Sequence, residues 1–125
     1  MKTQNVLIAG AWRAAKTDGT FQAENPDTGE TLQQVYPISS WHDCDEALTA
    51  AAQAAGQLRQ APADSLAAFL ERYAERIEAR AAELVATAHT ETGYPVSPRL
   101  ADVELPRTTG QLRQAADAAR EGWGG

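Results

Sequence analysis

Between Pro62 and Pro95 the apolar side chains fall at Leu66, Phe69, Leu70, Tyr73 and Ile77, then resume at Leu84 and Val85. Steps of three and four residues describe one stripe on a helix. Arg72, Glu75, Glu78, Arg80 and Glu83 populate the other side, with Arg72/Glu75 and Arg80/Glu83 spaced to pair along it. The pattern predicts one long helix or two, kinked near Ala79–Ala82. Pro62 suits the first turn, where its missing N–H has no intrahelical partner. Gly93 supplies a positive-φ stop, and Pro95 prevents resumption. A helix so one-sided needs an apolar surface to lie on.

The chain before it alternates differently. Val6–Ala9, Ala11–Ala14, Thr20–Glu24 and Thr31–Tyr36 read as four short strands, separated by Gly10, Thr17-Asp18-Gly19 and the turn Asn25-Pro26-Asp27-Thr28-Gly29. Pro37–Ser40 closes this region. Ser40, with Asp43 three residues on, predicts a capping box opening a first helix. That helix carries Cys44, Leu48, Ala51, Ala55 and Leu58 as a narrow stripe. Beyond Pro95, Ser97-Pro98 opens another helix with Leu100 and Val103 on one side. Pro106 either kinks it or starts a second helix, whose Leu112, Ala115, Ala116 and Ala119 hold helical spacing, before Trp123 and its glycines. The organisation expected is β-hairpins over residues 1–37 and three to five α-helices over 38–125.

Composition narrows the function classes. Seventeen acidic against 11 basic residues give a net charge of −6, which argues against a phosphate-backbone binder, so no nucleic acid is expected. No apolar run approaches the ~18 residues of a membrane span. The single cysteine excludes an internal disulfide framework, and the chain reads as cytoplasmic. Cys44 has His42 nearby, but Asp43, Asp45 and Glu46 disfavour a thiolate, and the residue lies on an apolar stripe. His42 and His89 show no metal-ligand spacing, so no metal is expected. Glu71/Glu75 and Asp43/Glu46 read as solvated helix faces. The chain contains neither GxGxxG nor GxxxxGK[ST]. No catalytic and no cofactor-binding residue emerges from chemistry alone.

The opening LIAGAWRAA…GTFQAENPDTGETLQQV, the segment HDCDEALTAAAQAA and the stretch ending in Glu91-Thr92-Gly93-Tyr94-Pro95 together resemble the N-terminal region of the aldehyde dehydrogenase superfamily. Asn25–Glu30 and Glu91–Pro95 are the most specific pieces. Arg107-Thr108-Thr109-Gly110-Gln111-Leu112-Arg113 is similar to one branch, the 2-oxoglutarate semialdehyde (2,5-dioxovalerate) dehydrogenases and related NADP-preferring fatty aldehyde dehydrogenases; Tyr94 departs from that branch, where a smaller or aliphatic residue is expected. The resemblance covers residues 6 to 122.

The resemblance implies an α/β aldehyde dehydrogenase fold of which residues 1–125 are an incomplete N-terminal part of the cofactor-binding domain. It implies a complete enzyme, several times longer and homo-oligomeric, that oxidises an aldehyde to a carboxylic acid with NAD or NADP. In that family a cysteine thiolate attacks the aldehyde, hydride passes to the cofactor and water releases the acid. The reacting groups all lie beyond residue 125, so the chain by itself is expected to bind no cofactor and to be inactive. Its partner is then the remainder of the dehydrogenase chain. The helix after the Gly93 stop lines the family's substrate tunnel, which assigns Val103, Arg107 and Gln111 to the substrate entrance. An autonomous helical interaction module with a dehydrogenase-like start is the alternative.

Overall fold

The computed structural model describes residues 2–122; Trp123 and the two glycines after it lie outside them. The chain divides into two compact units, Met1–Gln60 and Ala61–Gly125.

In the first unit β1 (Val6–Ile8) and β2 (Ala11–Arg13) form an antiparallel hairpin in which Ile8 faces Ala11. Ala9 and Gly10 between them both have positive φ, 53° and 81°. Positive φ at both central residues marks a two-residue turn whose twist matches the strands. β3 (Thr17–Phe21) pairs with β4 (Tyr36–Ser39), again antiparallel, with Phe21 opposite Tyr36 and their rings stacked at 5.5 Å.

This departs from the expected strands at both ends. Thr17-Asp18-Gly19 is not a turn but the irregular start of β3, and the last strand is Tyr36–Ser39 instead of Thr31–Tyr36. The reason is local. Asn25 closes its own turn, its side-chain oxygen accepting from the Asp27 N–H and its carbonyl from the Gly29 N–H. The segments flanking that turn keep only the bridge Glu24↔Thr31. The continuous pairing goes to the residues that lead straight into helix α1 (Trp41–Leu58). Ser40 caps α1, its hydroxyl accepting from the Asp43 N–H at 3.3 Å. The expected box is not reciprocal, because the Asp43 carboxylate accepts from the Lys16 N–H and Arg13 and the Ser40 N–H donates to the Lys16 carbonyl. The stripe named for α1 is only partly its inner face: Leu48, Ala51 and Leu58 are exposed, Cys44 and Ala55 are half-buried like Ala47 and Ala50, and the one buried side chain is Asp43.

The second unit is helical. α2 (Ala63–Ala79) and α3 (Ala81–Thr92) are separate helices, broken at Arg80, whose φ and ψ of −112° and 21° leave the helical region. Pro62 stands one place earlier than expected, as the N-cap of α2. Gly93, at φ 74°, ends α3, and its N–H returns to the His89 carbonyl. Residues Val96–Glu104 form a wide π-type segment whose helical turn begins after extended Ser97, and α4 (Leu105–Arg120) follows without a break, with Pro106 in its first turn.

α2 packs chiefly on α4. The seam is made of small residues, with Ala67, Ala74 and Ala116 fully buried beside Thr109. The large apolar residues of α2 point elsewhere: Phe69 is 60% exposed and Tyr73 half exposed. Alanines let the two backbones approach, and of the expected stripe Leu66, Phe69, Tyr73 and Leu84 face outward while Leu70 and Ile77 are half-buried and Val85 is buried. Leu100 and Val103 are likewise not on one side. Leu100 is buried and Val103 is 47% exposed, because three positions on a π turn sweep less angle than on an α turn.

Candidate functional site

The residues assigned to a substrate entrance lie on consecutive turns at the start of α4. Val103 belongs to the π-type segment, Arg107 to the first turn of α4 and Gln111 to the next. All three are exposed and four residues apart, which places them on one face. Arg107 enters no ion pair among the described residues. Its neighbours do: Arg99 pairs with Glu104, Arg113 with Glu78 and Arg120 with Glu71. An exposed guanidinium without an internal partner keeps its whole fork of donors for a carboxylate.

Beside that face the same segment contributes to a cleft of about 330 Å³. Tyr73, Ile77, Leu84, Val85, Leu100 and Leu105 form its apolar wall, and Glu104 and Thr108 supply its polar atoms. Val103, Arg107 and Gln111 are not among the cleft's lining residues. The structure therefore brings the three predicted residues together on a surface, not in a pocket of this chain.

The titratable clusters elsewhere are structural. Asp43 is 1% exposed and accepts from the Lys16 N–H at 2.7 Å and from Arg13 Nη2 at 3.1 Å. The same Arg13 nitrogen donates to Glu46 at 2.6 Å. Burial pushes the Asp43 pKa up, but the Lys16 N–H and Arg13 outweigh it and hold the carboxyl below its ordinary range. His42, Asp43 and Glu46 bring their ligand atoms within 4.8 Å of one another. A guanidinium already stands between the two carboxylates, so the cluster is an ion-pair network. Asp43/Glu46 is thus not the solvated pair expected from the sequence, and the Asp43 side chain anchors the β2–β3 connection to α1.

Glu71 is not simply solvated either: it is half-buried and held by Arg120, as Glu78 is by Arg113. These pairs were missed, although the signal was present. Glu71/Glu78 and Arg113/Arg120 are each seven residues apart, the spacing that repeats on one face of two facing helices. His89 Nδ1 donates to the Tyr94 carbonyl at 2.6 Å and completes the end of α3. Cys44 is a half-buried free thiol.

The turn that opens α1 is not built to hold a dinucleotide. The strand-to-helix turn at Ser39–Trp41 has no glycine, and the first turns of α1 carry Asp43, Asp45 and Glu46. Negative charge at a helix N-terminus opposes a pyrophosphate.

A sequence profile of the Aldehyde dehydrogenase family matches residues 12–124. The chain belongs to the aldehyde dehydrogenase family. It is 37% identical over 98% of its length to alpha-ketoglutaric semialdehyde dehydrogenase 2 of Azospirillum brasilense, covering 23% of that protein. It is 31% identical over 91% of its length to the NADP+ succinate-semialdehyde dehydrogenase 2 of Schizosaccharomyces pombe, again covering 23%. Among solved structures it superposes on a variant of aldehyde dehydrogenase C from Pseudomonas syringae, determined with NAD+ and octanal. That match has a TM-score of 0.87 at 25% identity, over 94% of this chain and 24% of the other. This aldehyde dehydrogenase chain therefore spans about a quarter of the length of the relatives it matches. Its fold is the N-terminal portion of the family's α/β fold, short hairpins followed by four α-helices.

Proposed function

We propose that this chain is the leading segment of an NAD(P)-dependent aldehyde dehydrogenase whose substrate is an aldehyde with a distal carboxylate, of the 2-oxoglutarate semialdehyde kind. On this reading residues 1–125 supply part of the cofactor-binding domain and the substrate entrance. The remainder of the dehydrogenase supplies the reacting groups and holds the cofactor. The complete enzyme is a cytoplasmic homo-oligomer.

The observation that carries the substrate class is Arg107, an exposed arginine with no ion pair among the described residues, on one face with Val103 and Gln111. Two relatives whose names specify semialdehydes of carboxylic acids support it. A guanidinium at the entrance orients such a substrate by holding its carboxylate through two parallel N–H···O bonds. Val103 and Gln111 flank it with an apolar and a neutral polar contact. The outward rows of α1 and α2 support the scaffold role, since Leu48, Phe69 and Tyr73 need a surface that neither unit provides internally.

The test is Arg107→Met in the complete dehydrogenase. It should raise KM for a carboxylated aldehyde about tenfold or more while leaving that for a neutral aldehyde of similar length nearly unchanged. Equal effects on both substrates would make Arg107 a surface residue and remove the basis for the substrate class.

A further inference from the structure

The turn that leads into α4 is tied at both ends by one side chain. Arg99 lies over the Tyr94 ring, 4.8 Å from its centroid. The Nε of the same residue pairs with Glu104 at 3.1 Å. Tyr94 stands just before the Val96–Glu104 segment and Glu104 is its last residue, so Arg99 spans the whole bend.

The segment also packs on α3 and on α4. Ser97 Oγ donates to Asp102 at 2.9 Å, and Leu100 is the only fully buried residue of the segment. The Leu105 N–H returns to the Leu100 carbonyl, and the Leu100 N–H to the Pro95 carbonyl, both five residues back. Pro98 and Pro106 have no N–H to give. The backbone therefore cannot close this turn in ordinary α register at those two positions, and it is held instead by the wider i→i+5 bonds. Side-chain ties add to this packing, and Arg99 makes two of them, one toward each end of the segment. Val103 lies within this bend and Arg107 immediately after it.

We propose that Arg99 is a positioning residue for substrate selection: by clasping Tyr94 to Glu104 it fixes the bend and so sets where Val103 and Arg107 stand. The inference rests on the reading of Arg107 as the carboxylate contact. Arg99 touches no substrate on this account; its Nε lies against Glu104 and its face over Tyr94. Loss of the clasp loosens the segment and spreads the Arg107 fork over several positions. A carboxylated aldehyde then binds less well, and a neutral one is unaffected.

Two measurements test this, with Arg99→Met, Arg99→Lys and Arg107→Met side by side. In the complete dehydrogenase, Arg99→Met should raise KM for the carboxylated aldehyde about three- to tenfold, the range of one exposed cation–π contact plus one exposed ion pair. Its kcat, and both constants for the neutral aldehyde, should stay within about twofold. In the 125-residue chain the same change should speed hydrogen exchange at the Leu100 and Leu105 amides by a similar factor, without affecting the Ala74 amide in the α2–α4 seam. Arg99→Lys keeps a cation within reach of both partners and should restore most of each effect. If Arg107→Met is selective but Arg99→Met changes neither the KM ratio nor the exchange, the clasp is wrong and the substrate reading stands. If Arg107→Met is unselective, the substrate reading fails and the positioning role fails with it; faster exchange in Arg99→Met would then show a clasp of structural value only.

Discussion

Arg113 holds Glu78 across the α2–α4 seam through both terminal guanidinium nitrogens, at 2.5 and 3.0 Å. Arg120 holds Glu71 in the same way, one heptad along the antiparallel pair. Between the two clamps lie Ala74 and Ala116, with Ala67 one turn beyond, all fully buried. Alanine contacts do little to fix the sliding register of two helices, whereas two bidentate pairs seven residues apart are satisfied in one register only. The clamps therefore select the alignment that the small-residue seam permits.

The first prediction concerns their pH dependence. The hydrogen bonds from Arg113 to Glu78 and from Arg120 to Glu71 hold both carboxyls below their ordinary value of 4.5, against a smaller opposing effect of burial. A carboxyl that titrates lower when folded adds stability that is present above its unfolded pKa and is lost as pH falls through the folded one. Urea midpoints of the chain should thus fall as pH drops below 4.5. The double variant Glu71→Gln, Glu78→Gln should show a flatter acid limb and a lower midpoint at neutral pH. Parallel acid limbs in the two proteins would mean the clamps add nothing to stability.

A second prediction comes from the β1–β2 turn. Ala9 sits at φ 53°, a left-handed conformation that costs a residue with a Cβ roughly 1–2 kcal/mol. Asparagine tolerates this region, and a turn of this type favours Asn-Gly. Ala9 is exposed, so nothing is displaced by a longer side chain. Ala9→Asn should stabilise the chain by about 0.5–1 kcal/mol, and Ala9→Val should destabilise it by at least as much. Chemical denaturation measures both, and a destabilised asparagine variant would refute the strain.

Local signals in the sequence proved more legible than faces. Ser40 as a cap and the Gly93 stop each follow from the chemistry of one or two residues, and each is where its residue type placed it; one long helix or two was left open by the pattern, and the break falls at Arg80. The inner faces were misread because hydrophobicity was taken as the guide to them. In α2 the seam follows Ala67 and Ala74, while Leu66, Phe69 and Tyr73 look outward. In α1 the buried side chain is Asp43. Apolar periodicity reports which surface a helix will bury in its complete setting, and that surface need not meet another element of the same 125 residues. Of the candidate site, the sequence made legible that Val103, Arg107 and Gln111 share a face. That Arg107 alone of the arginines on α4 lacks an acidic partner among the described residues depends on distances between α2 and α4, which no spacing along one helix reveals.

The third prediction separates Cys44 from chemistry. Its thiol is half-buried on α1, flanked by Asp43 and Asp45, and a nucleophilic cysteine wants neighbouring positive charge. Cys44→Ser in the complete dehydrogenase should leave kcat/KM within about threefold of the parent. A loss of several orders of magnitude would make Cys44 a reacting group. Consistent with that assignment, the 125-residue chain by itself should produce no NAD(P)H from an aldehyde above the buffer rate.

The fourth prediction follows from the uncovered face of α2. Leu66, Phe69 and Tyr73 form an exposed row, with the Phe69 and Tyr73 rings edge to face at 6.1 Å. Covering a large apolar side chain is worth about 1.5–3 kcal/mol, so pairing even two of these across an interface gives a drive that a net charge of −6 opposes only weakly once salt screens it. The isolated chain should therefore self-associate at micromolar concentration. Because these residues lie off the Ala67/Ala74 seam, the double variant Leu66→Glu, Phe69→Glu should become monomeric and keep its helix content. Carried into the complete dehydrogenase, the same pair should abolish folding or activity, since there the row has a surface to meet. Sedimentation velocity on the two short chains and activity of the two long ones decide the matter. A wild-type chain that sediments as a monomer and melts cooperatively would show that the row needs no cover.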